Sequence, residues 1–294
     1  MSDTPRICVI GDALVDEIRD ADGIRAFPGG AALNVAVGLA VLGVPTTLIT
    51  MLGADEEADL IREFLEGFGV ELIETTSTLG TARAISHRVD GEPHYEFNEA
   101  ARGRHIAFTA AAHVALEEAP LIVVSCVALD SAAQFEELVA ATSGRAPLIV
   151  DPNPRTGMMH DRDAFLTNLE ALAAEALLVK VGDDDAAVLA DESLDVFADR
   201  LLATGAHAVL TTAGRDGAGV RTSDGVRVSV GISDLPGPIV DTMGAGDAVL
   251  ASAVATIHAS GQPTDAAGWV ALLGDAMLVA AATCRSEGAL LKKP

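Results

Sequence analysis

Short apolar runs alternate with segments of helical periodicity along most of this 294-residue chain. Two of the runs, residues 121–124 and 148–150, are apolar at every position, as is typical of parallel strands that are covered on both faces. Helical periodicity between the runs indicates strand–helix–strand units. We therefore predict an α/β fold with a doubly wound, mostly parallel sheet and helices on both of its faces. The predicted strands are residues 7–10, 47–51, 121–126, 148–150, 177–181 and 208–211, and the predicted helices are residues 31–42, 56–68, 132–142, 162–174 and 194–203.

Residues 82–98 do not follow this pattern. Polar and apolar positions alternate with a period of two on both sides of Asp90-Gly91, a dipeptide that favours the tight turn of a β-hairpin. We predict that these strands form a small β-sheet lid outside the main sheet, which would cover a crevice and exclude water from it. A hairpin that only decorates the sheet edge is the alternative. Because no linker rich in Pro, Gly or Ser divides the chain, we predict a single domain over residues 1–294 with the lid inserted at about 82–98.

The chain is strongly acidic, with 19 Lys and Arg residues against 43 Asp and Glu residues and a net charge of −24 at pH 7. This charge would repel a nucleic acid, so we predict no nucleic-acid partner. The odd number and wide spacing of the cysteines indicate reduced thiols, and the lack of a basic, apolar leader favours a cytoplasmic protein. Residues 267–284 are apolar, but Asp275 near their middle would be costly in lipid. We therefore predict that they form a buried core helix, and we predict no membrane partner.

The most informative segment is the loop of residues 240–247, which leads directly into helical periodicity. Its small residues Gly244, Ala245 and Gly246 would lie at the N-terminus of that helix, where backbone N–H groups and the helix dipole attract an anion. Such a cradle can stabilise a phosphoryl group during its transfer. Asp247 would follow in the first helical turn, either as the base that accepts a hydroxyl proton or as a carboxylate that only complements the dipole.

Several other kinds of active site lack their sequence signatures. No Gly-Lys pair occurs in the chain, which excludes a P-loop. The sequence also contains no H-E-x-x-H, C-x-x-C or G-x-S-x-G motif, and no G-x-G-x-x-G follows the first predicted strand. Metalloprotease, esterase and dinucleotide-dependent oxidoreductase functions are therefore disfavoured.

Two motifs far apart in the chain resemble the signatures of one enzyme family. The first comprises Gly11-Asp-Ala-Leu-Val-Asp16 and Gly29-Gly-Ala-Ala-Leu-Asn34, and the second is Asp241-Thr-Met-Gly-Ala-Gly-Asp247. On these motifs the chain resembles the PfkB family of ribokinase-like carbohydrate kinases over nearly its whole length, and it looks most like the fructokinase branch. Weaker echoes of the family are Asp151-Pro-Asn-Pro-Arg155, Val179-Lys-Val-Gly-Asp183 and Thr212-Ala-Gly-Arg-Asp-Gly217.

This resemblance implies a ribokinase-like fold, ATP and Mg²⁺ as cofactors, and roles for particular residues. Asp247 would be the catalytic base, and Gly244, Ala245 and Gly246 would form the anion hole. The residues that it implies for binding the acceptor are Asp12, Asp16, Gly29, Gly30, Asn34 and Arg155. Those implied to border ATP are Lys180, Thr212, Gly214, Gly217 and Asp275, and Asp185 is implied to face the metal.

Several of these positions also have a simpler interpretation. Asp16 would be a solvated turn residue, Asn34 a local cap, and Gly29 with Gly30 an ordinary turn. Lys180 would either touch phosphate or lie along apolar surface with its ammonium in water.

The chain departs from the family pattern at three places. Gly182-Asp-Asp-Asp185 replaces an N-x-x-E element that is tied to Mg²⁺, and Asp275 stands where related kinases often have Asn near the adenine. Tyr95-Glu-Phe-Asn98 lacks a Tyr-Arg pair that is common in the fructokinase branch. Because an anionic sugar would favour Arg, the last departure favours a neutral one, with Arg155 among the remaining anion partners.

The resemblance therefore predicts an ATP- and Mg²⁺-dependent kinase that phosphorylates a primary hydroxyl of a neutral, fructose-like sugar. The alternatives are a nucleoside kinase, with a larger apolar pocket beneath the lid, and a noncatalytic sugar- or nucleotide-binding protein of the same fold. We also predict a homodimer that forms through the lid, because exposed strand edges favour pairing with another subunit.

Overall fold

The computed structural model describes residues 5–20, 23–89 and 92–294. The strands, in chain order, are β1 (Ile7–Gly11), β2 (Leu14–Asp20), β3 (Gly23–Gly29), β4 (Thr46–Leu52), β5 (Glu71–Thr76), β6 (Ala82–Val89), β7 (Glu92–Phe97), β8 (Ile122–Ser125), β9 (Leu148–Asp151), β10 (Ala176–Gly182), β11 (Ala208–Thr212), β12 (Ala218–Thr222) and β13 (Arg227–Val230). The helices are α1 (Ala31–Val41), α2 (Glu56–Gly67), α3 (Glu99–Arg102), α4 (Ala110–Glu118), α5 (Ala132–Thr142), α6 (Arg162–Ala173), α7 (Asp183–Ala190), α8 (Leu194–Thr204), α9 (Ala245–Ser260) and α10 (Ala266–Thr283), with a 3₁₀ turn over Gly214–Asp216. The six predicted strands and five predicted helices are all present, and their ends differ from the prediction by no more than one residue.

The main sheet has the strand order β13-β12-β11-β10-β9-β8-β1-β4-β5. Its strands are parallel except for β12 and β13, which continue antiparallel from β11. The chain builds outward from β1 through β4 and β5, and then builds β8 to β11 on the other side of β1. The strand order therefore reverses between β1 and β8, and doubly wound sheets bind ligands at the carboxyl ends of the strands beside such a reversal.

Both faces of the main sheet are covered by apolar clusters. Ile7 and Val9 of β1 pack into one cluster with residues of α1, α9 and α10. Cys8 and Ile10 pack into a second cluster with residues of α5, α6 and α8. Because successive side chains of a strand point to opposite faces, a strand buried on both faces is apolar at every position. The prediction of a doubly wound α/β sheet with helices on both faces is confirmed.

The helices differ in whether a side chain caps their N-terminus. Seven helices begin after a side chain that accepts a hydrogen bond from their first turn, namely Asp55, Asn98, Thr109, Ser131, Asp161, Ser193 and Asp265. Helices α1, α7 and α9 instead begin after Gly30, Gly182 and Gly244, and no side chain caps them. Some of their first-turn N–H groups are satisfied from outside the helix, since Ala32 N–H of α1 donates to Asp12 Oδ1 and Ala245 N–H of α9 donates to the carbonyl oxygen of Thr242.

A second sheet has the strand order β3-β2-β6-β7. Strands β6 and β7 pair antiparallel, as predicted for residues 82–98, although the predicted Asp90-Gly91 turn lies outside the described residues. Strands β2 and β3 enlarge this sheet beyond the predicted hairpin. Residues 14–20 resemble a polar loop in sequence, but Glu17 is buried there because Arg19 and Arg83 pair with its carboxylate.

Helix α10 corresponds to the helix predicted at 267–284, and only one side of it is buried. It is long and apolar enough to cross a membrane, but Trp269, Leu273 and Met277 pack into the cluster that contains α9 and α1. On its other side Leu278 is exposed, and so is Asp275. The predicted core helix is therefore present, but the carboxylate of Asp275 is exposed to solvent.

Candidate active site

A cavity of about 520 Å³ opens where the strand order reverses. Asp12, after β1, and Cys126, after β8, both line it. The small sheet forms another part of the wall, with side chains of β2, β6 and β7. The remaining lining comes from Gly30, Ala31 and Asn34, from residues 155–158 after β9, and from Met243, Gly244, Asp247 and Ala289. The small sheet is thus part of the cavity wall, and its action as a lid stays a prediction.

The loop before α9 is held against the C-terminal segment of the chain. Asp241 Oδ1 accepts a hydrogen bond from Met243 N–H at 2.9 Å, and its Oδ2 accepts one from Gly288 N–H at 3.2 Å. Gly244 has φ 72°, and a Cβ there would lie 2.0 Å from the carbonyl oxygen of Ala289. Only glycine combines this backbone conformation with so close an approach.

The first turn of α9 presents backbone donors beside the cavity. Ala245 N–H donates to the carbonyl oxygen of Thr242 at 3.3 Å. The geometry of an α-helix leaves the N–H groups of Gly246 and Asp247 without an acceptor inside the helix. Of the predicted anion hole, Gly244 lines the cavity, and the amide of Ala245 already has an acceptor in the loop.

Asp247 is a buried carboxylate, 9% exposed, in the first turn of α9. Its Oδ2 accepts a hydrogen bond from Asn34 Nδ2 at 2.9 Å. Burial, and then the negative charge of Asp151, raise the pKa of Asp247 to about 6, although Lys180 acts in the opposite direction. With that pKa the carboxylate is about nine-tenths ionised at pH 7 and is a stronger base than an exposed Asp.

Asn34 does not cap α1, because that helix begins at Gly30 without a side-chain cap. Its side chain is buried, and while Nδ2 donates to Asp247, Oδ1 has no hydrogen-bond partner among the described residues. A buried polar atom without a partner is costly, so a ligand hydroxyl that donates to Oδ1 would be favoured here.

Two further carboxylates line the cavity near the lid. Asp12 Oδ1 accepts a hydrogen bond from Ala32 N–H at 3.0 Å, and burial raises the pKa of Asp12. Asp16 lies on β2 and not in a solvated turn, and burial, followed by the charge of Asp12, raises its pKa to about 6. A Cβ at Gly29 would lie 2.1 Å from Asp16 Oδ2, so glycine is needed at the end of β3 for this packing.

Arg155 follows β9 and lines the cavity with an exposed side chain. Within the part of the chain that the structure describes, it forms no hydrogen bond or ion pair through its guanidinium group. Its positive charge partly offsets the burial that raises the pKa values of Asp16 and Asp247. An unpaired guanidinium group in a cavity can bind hydroxyl, carboxylate or phosphate oxygens of a ligand.

Lys180 is buried on β10 and does not line the cavity. Its Nζ lies 3.2 Å from Oδ1 of Asp151, whose Oδ2 accepts a hydrogen bond from Ser125 Oγ at 3.2 Å. Burial alone would lower the pKa of Lys180, but the carboxylates of Asp151 and Asp185 raise it above its ordinary value. The interpretation of Lys180 as a surface side chain with its ammonium in water was therefore wrong.

Asp185 and Thr212 lie close together at the carboxyl ends of β10 and β11. Gly182 is paired with Thr212, and a Cβ at Gly182 would lie 3.4 Å from Thr212 Oγ1 and 3.5 Å from Asp185 Oδ2. Asp185 Oδ2 also accepts a hydrogen bond from Gly182 N–H at 2.7 Å. Burial raises the pKa of Asp185 to about 6, so this carboxylate is mostly ionised at neutral pH.

The donors at the site suit a magnesium ion that arrives with a nucleotide. No group of three or more His, Cys, Asp or Glu residues is arranged as a metal site in residues 5–20, 23–89 and 92–294. Mg²⁺ does not need one, because it keeps several waters and is usually held by one or two carboxylates together with substrate phosphates. The site also carries more carboxylates, Asp12, Asp16, Asp151, Asp185 and Asp247, than cationic side chains, Lys180 and Arg155.

The other predicted ATP-binding residues lie outside the cavity. Gly214 and Gly217 flank the 3₁₀ turn after β11, with φ values of 49° and 91°. Asp275 is exposed on α10. The structure thus brings seven of the predicted site residues into one cavity, namely Asp12, Asp16, Gly30, Asn34, Arg155, Gly244 and Asp247. Gly29, Ala245 and Gly246 are not among its lining residues, and the role of Gly214, Gly217 and Asp275 in binding ATP stays a prediction.

The sequence did not single out Asp151, Asp241 or Phe97 as site residues. Asp151 directly follows a buried strand, and that position at the carboxyl edge of a parallel sheet is a signal that could have indicated it. Phe97, at the end of β7, packs so closely on Gly157 that a Cβ there would lie 2.5 Å from its ring. No local pattern marks this contact, because it joins the lid to the loop after β9.

A model of the pfkB family of carbohydrate kinases matches residues 4–294. The chain belongs to this family. It is therefore a carbohydrate kinase, that is, a phosphotransferase with an alcohol group as acceptor, and the resemblance carried by its two motifs is confirmed.

Individual relatives support the same family. A fructokinase from Rhizobium leguminosarum bv. trifolii is 28% identical over 263 residues, which cover 85% of this chain and 79% of that protein. An ATP-dependent ribose-1-phosphate kinase from Halopiger xanaduensis is 34% identical over 260 residues, which cover 82% of this chain and 79% of that protein. The chain spans only 57% of the length of another relative, the bifunctional protein HldE of Halorhodospira halophila.

The fold is similar to that of a solved fructokinase. The structure of a fructokinase with bound ATP from Xylella fastidiosa superposes with a TM-score of 0.80 at 22% identity, over 97% of this chain and 94% of that one. The predicted ribokinase-like architecture is confirmed by this similarity.

Proposed function

We propose that this family member is an ATP- and Mg²⁺-dependent kinase that transfers the γ-phosphoryl group to a primary hydroxyl of a neutral, fructose-like sugar. The observation that carries the proposal is that the buried carboxylate of Asp247, the uncapped N-terminus of α9 and the unpartnered Oδ1 of Asn34 belong to one cavity. A base, an anion cradle and a hydroxyl acceptor are the groups that phosphoryl transfer to an alcohol requires.

Asp247 would accept the proton of the acceptor hydroxyl. Its carboxylate is held by the hydrogen bond from Asn34 at 2.9 Å, so it is oriented before the acceptor binds. In a loose phosphoryl-transfer transition state the proton leaves late, and a carboxylate whose pKa is about 6 suffices as base if it is well positioned.

The first turn of α9 would stabilise the negative charge on the transferring group. The N–H groups of Gly246 and Asp247 lack acceptors inside the helix, and the helix dipole adds about half a positive charge at this end. Mg²⁺ bound with the nucleotide supplies further positive charge to the phosphates, and Asp185 is the residue proposed to face it. Lys180 adds no direct contact in this scheme because it is buried away from the cavity lining.

The acceptor would be bound by side chains on the lid side of the cavity. Asp16 and Asn34 Oδ1 can accept hydrogen bonds from sugar hydroxyls, and Arg155 can donate to them. Around this polar group the lid contributes apolar side chains, including Phe97, which can pack against the nonpolar face of a sugar ring. A fructose-like acceptor fits this combination, and the similarity to a fructokinase supports it.

A nucleoside acceptor is the second candidate, and the apolar part of the lining favours it. Leu14, Ala84, Phe97 and Met158 all line the cavity, and such a surface can also hold a flat base. A phosphorylated sugar must also be assayed, because the unpaired Arg155 could bind its phosphate and because the chain is similar to a ribose-1-phosphate kinase.

The decisive experiment is a panel of acceptors with coupled detection of ADP. We expect fructose to give the highest kcat/KM among fructose, glucose, ribose, adenosine, inosine and ribose-1-phosphate. Preference for adenosine or inosine would instead support the nucleoside kinase. Tight binding of fructose and ATP in calorimetry without any release of ADP would support the noncatalytic alternative and contradict the proposal.

We further propose a cytoplasmic enzyme that forms a homodimer through its lid. Strand β3 lies at the edge of the small sheet, and Ile24 and Phe27 on it are 68% and 46% exposed. An exposed edge with apolar side chains favours strand pairing with a second subunit. Sedimentation at micromolar concentration tests this, with Phe27→Glu as the variant expected to dissociate, and a wild-type mass of 30.1 kDa would contradict it.

A further inference from the structure

A buried ion pair lies beside the first turn of α9 without lining the cavity. Lys180 and Asp151 are 6% and 0% exposed, and their Nζ and Oδ1 atoms are 3.2 Å apart. Ser125 Oγ donates to the other carboxylate oxygen of Asp151 at 3.2 Å. Both oxygens of Asp151 therefore have partners, and the pair is held in one arrangement.

The ammonium group of Lys180 reaches the turn that carries the proposed base. A Cβ at Gly246 would lie 3.3 Å from Lys180 Nζ and 3.6 Å from its Cε. Gly246 directly precedes Asp247, so the absence of a side chain at 246 allows the ammonium to approach this turn. Such a contact places a fixed positive charge next to the helix end that would face the phosphoryl group.

Stability alone does not explain this pair. Burying two charges carries a desolvation cost that is often as large as the free energy gained from their attraction. Well-packed apolar residues in the same place frequently give a protein that is equally stable. The chain is also sparing with lysine, since the other two lysines are Lys292 and Lys293. A compact ammonium fits beside Gly246, whereas a guanidinium group needs more room.

The charges that act on Asp247 come from several elements. Asp151 on β9 and Asp16 on β2 are negative, while Lys180 on β10 and Arg155 after β9 are positive. Arg155 is exposed at the cavity, whereas Lys180 is buried and is screened little by solvent. Lys180 is therefore the positive group whose effect on Asp247 depends least on salt.

We propose that Lys180 is a positioning residue: held by Asp151 beside the first turn of α9, its ammonium keeps the Asp247 carboxylate ionised for proton transfer at neutral pH. The inference rests on the proposed function, because it concerns the base of that reaction. It assigns Lys180 no contact with ATP.

The test compares the acid limb of the pH profile of kcat/KM in the wild type, Lys180→Met and Asp151→Asn. Lys180→Met leaves Asp247 facing the charge of Asp151, so the limb is expected to move to higher pH by about one unit. Asp151→Asn removes a negative neighbour and keeps the ammonium, so the limb is expected to move to lower pH. Ser125→Ala keeps both charges and should leave the limb where it is in the wild type.

If the pair of Lys180 and Asp151 were merely structural, both substitutions would lower Tm without moving the acid limb of the pH profile. An unmoved limb, or shifts of the limb in the same direction in both variants, would overturn the proposal. Where Lys180→Met does not fold, Lys180→Gln, which also removes the charge but keeps a polar partner for Asp151, takes its place in the comparison. Carbon-13 NMR of Asp-labelled protein follows Asp247 directly, with Asp247→Asn identifying its signal. Because this readout needs no turnover, an inactive wild type contradicts the proposed function, whereas an unchanged Asp247 titration contradicts the role of Lys180.

Discussion

Replacement of Asp247 by Asn is expected to inactivate the enzyme and to stabilise its fold at the same time. Asn has nearly the same shape, and its side-chain oxygen can keep the hydrogen bond from Asn34 Nδ2, which is 2.9 Å long in the wild type. The amide cannot accept the hydroxyl proton, so we expect kcat to fall by roughly 10²- to 10⁴-fold with little change in KM.

The gain in stability follows from burial of the carboxylate, which raises the pKa of Asp247 from 3.8 to about 6. The folded state therefore binds this proton more tightly than the unfolded state, and keeping the group ionised at pH 7 costs about 3 kcal/mol. Asn removes that cost but gives up an interaction with the helix dipole of at most about 1 kcal/mol. A net gain of about 2 kcal/mol corresponds to a rise of about 3 °C in Tm for 294 residues.

Scanning calorimetry at pH 7.5 and pH 5 measures this gain alongside the kinetic assay. The destabilising cost is complete above the folded pKa of about 6, declines as the pH falls from there, and vanishes only below the unfolded pKa of 3.8, so the stability difference between wild type and Asp247→Asn should shrink at pH 5 to about half of its value at pH 7.5. Asp163→Asn is the matched control, because Asp163 lies in the first turn of α6 with a side chain that is 90% exposed. Asp163→Asn loses an interaction with the helix dipole but removes no buried charge, so its Tm should not rise. A less stable Asp247→Asn protein at pH 7.5, or one that keeps half of its kcat, would refute the reasoning.

Three further predictions concern the same cavity. Gly244→Ala should lower Tm and kcat far more than Gly261→Ala. Both glycines have positive φ, but only a Cβ at 244 would contact Ala289. Equal losses for the two variants in a thermal melt and an ADP assay would show that this contact is unimportant. Gly29→Ala should displace Asp16, because the new Cβ would lie 2.1 Å from Asp16 Oδ2. We therefore expect KM for the sugar to rise by roughly tenfold while KM for ATP stays constant. A parallel rise in both KM values would indicate general damage to the fold. Removal of divalent ions with EDTA should abolish ADP release and added Mg²⁺ should restore it, and full activity in EDTA would argue against Mg²⁺.

The sequence predicted the main sheet well because its strands are local features. A run such as residues 148–150 is apolar at every position and is bounded by Pro147 and Pro152, a pattern typical of a short strand covered on both faces. The lid was harder to predict, because Glu17 is buried through pairing with Arg19 and Arg83, and a single charge in a short segment usually indicates solvent. Half of the lid sheet was therefore missed.

In the candidate site, too, local features were predicted from the sequence and long-range contacts were not. Asp247 and Gly244 were predicted because one continuous motif contains them. The pairing of Lys180 with Asp151 joins residues 29 positions apart through the alignment of β10 with β9, and no local pattern encodes it. Asp275 was predicted to lie within a buried core helix because residues 267–284 are apolar, whereas it is exposed on the side of α10 that faces solvent.

The cavity is closed by residues from the two extremes of the chain. Asp12 follows the first strand, while Ala289 packs against Gly244 and Gly288 is tied to Asp241. During synthesis the anion cradle therefore cannot be completed until residue 289 has left the ribosome. A nascent chain that has folded β1 to β11 would already hold part of the proposed sugar site, yet it could not transfer a phosphoryl group from ATP before residue 289 reaches Gly244.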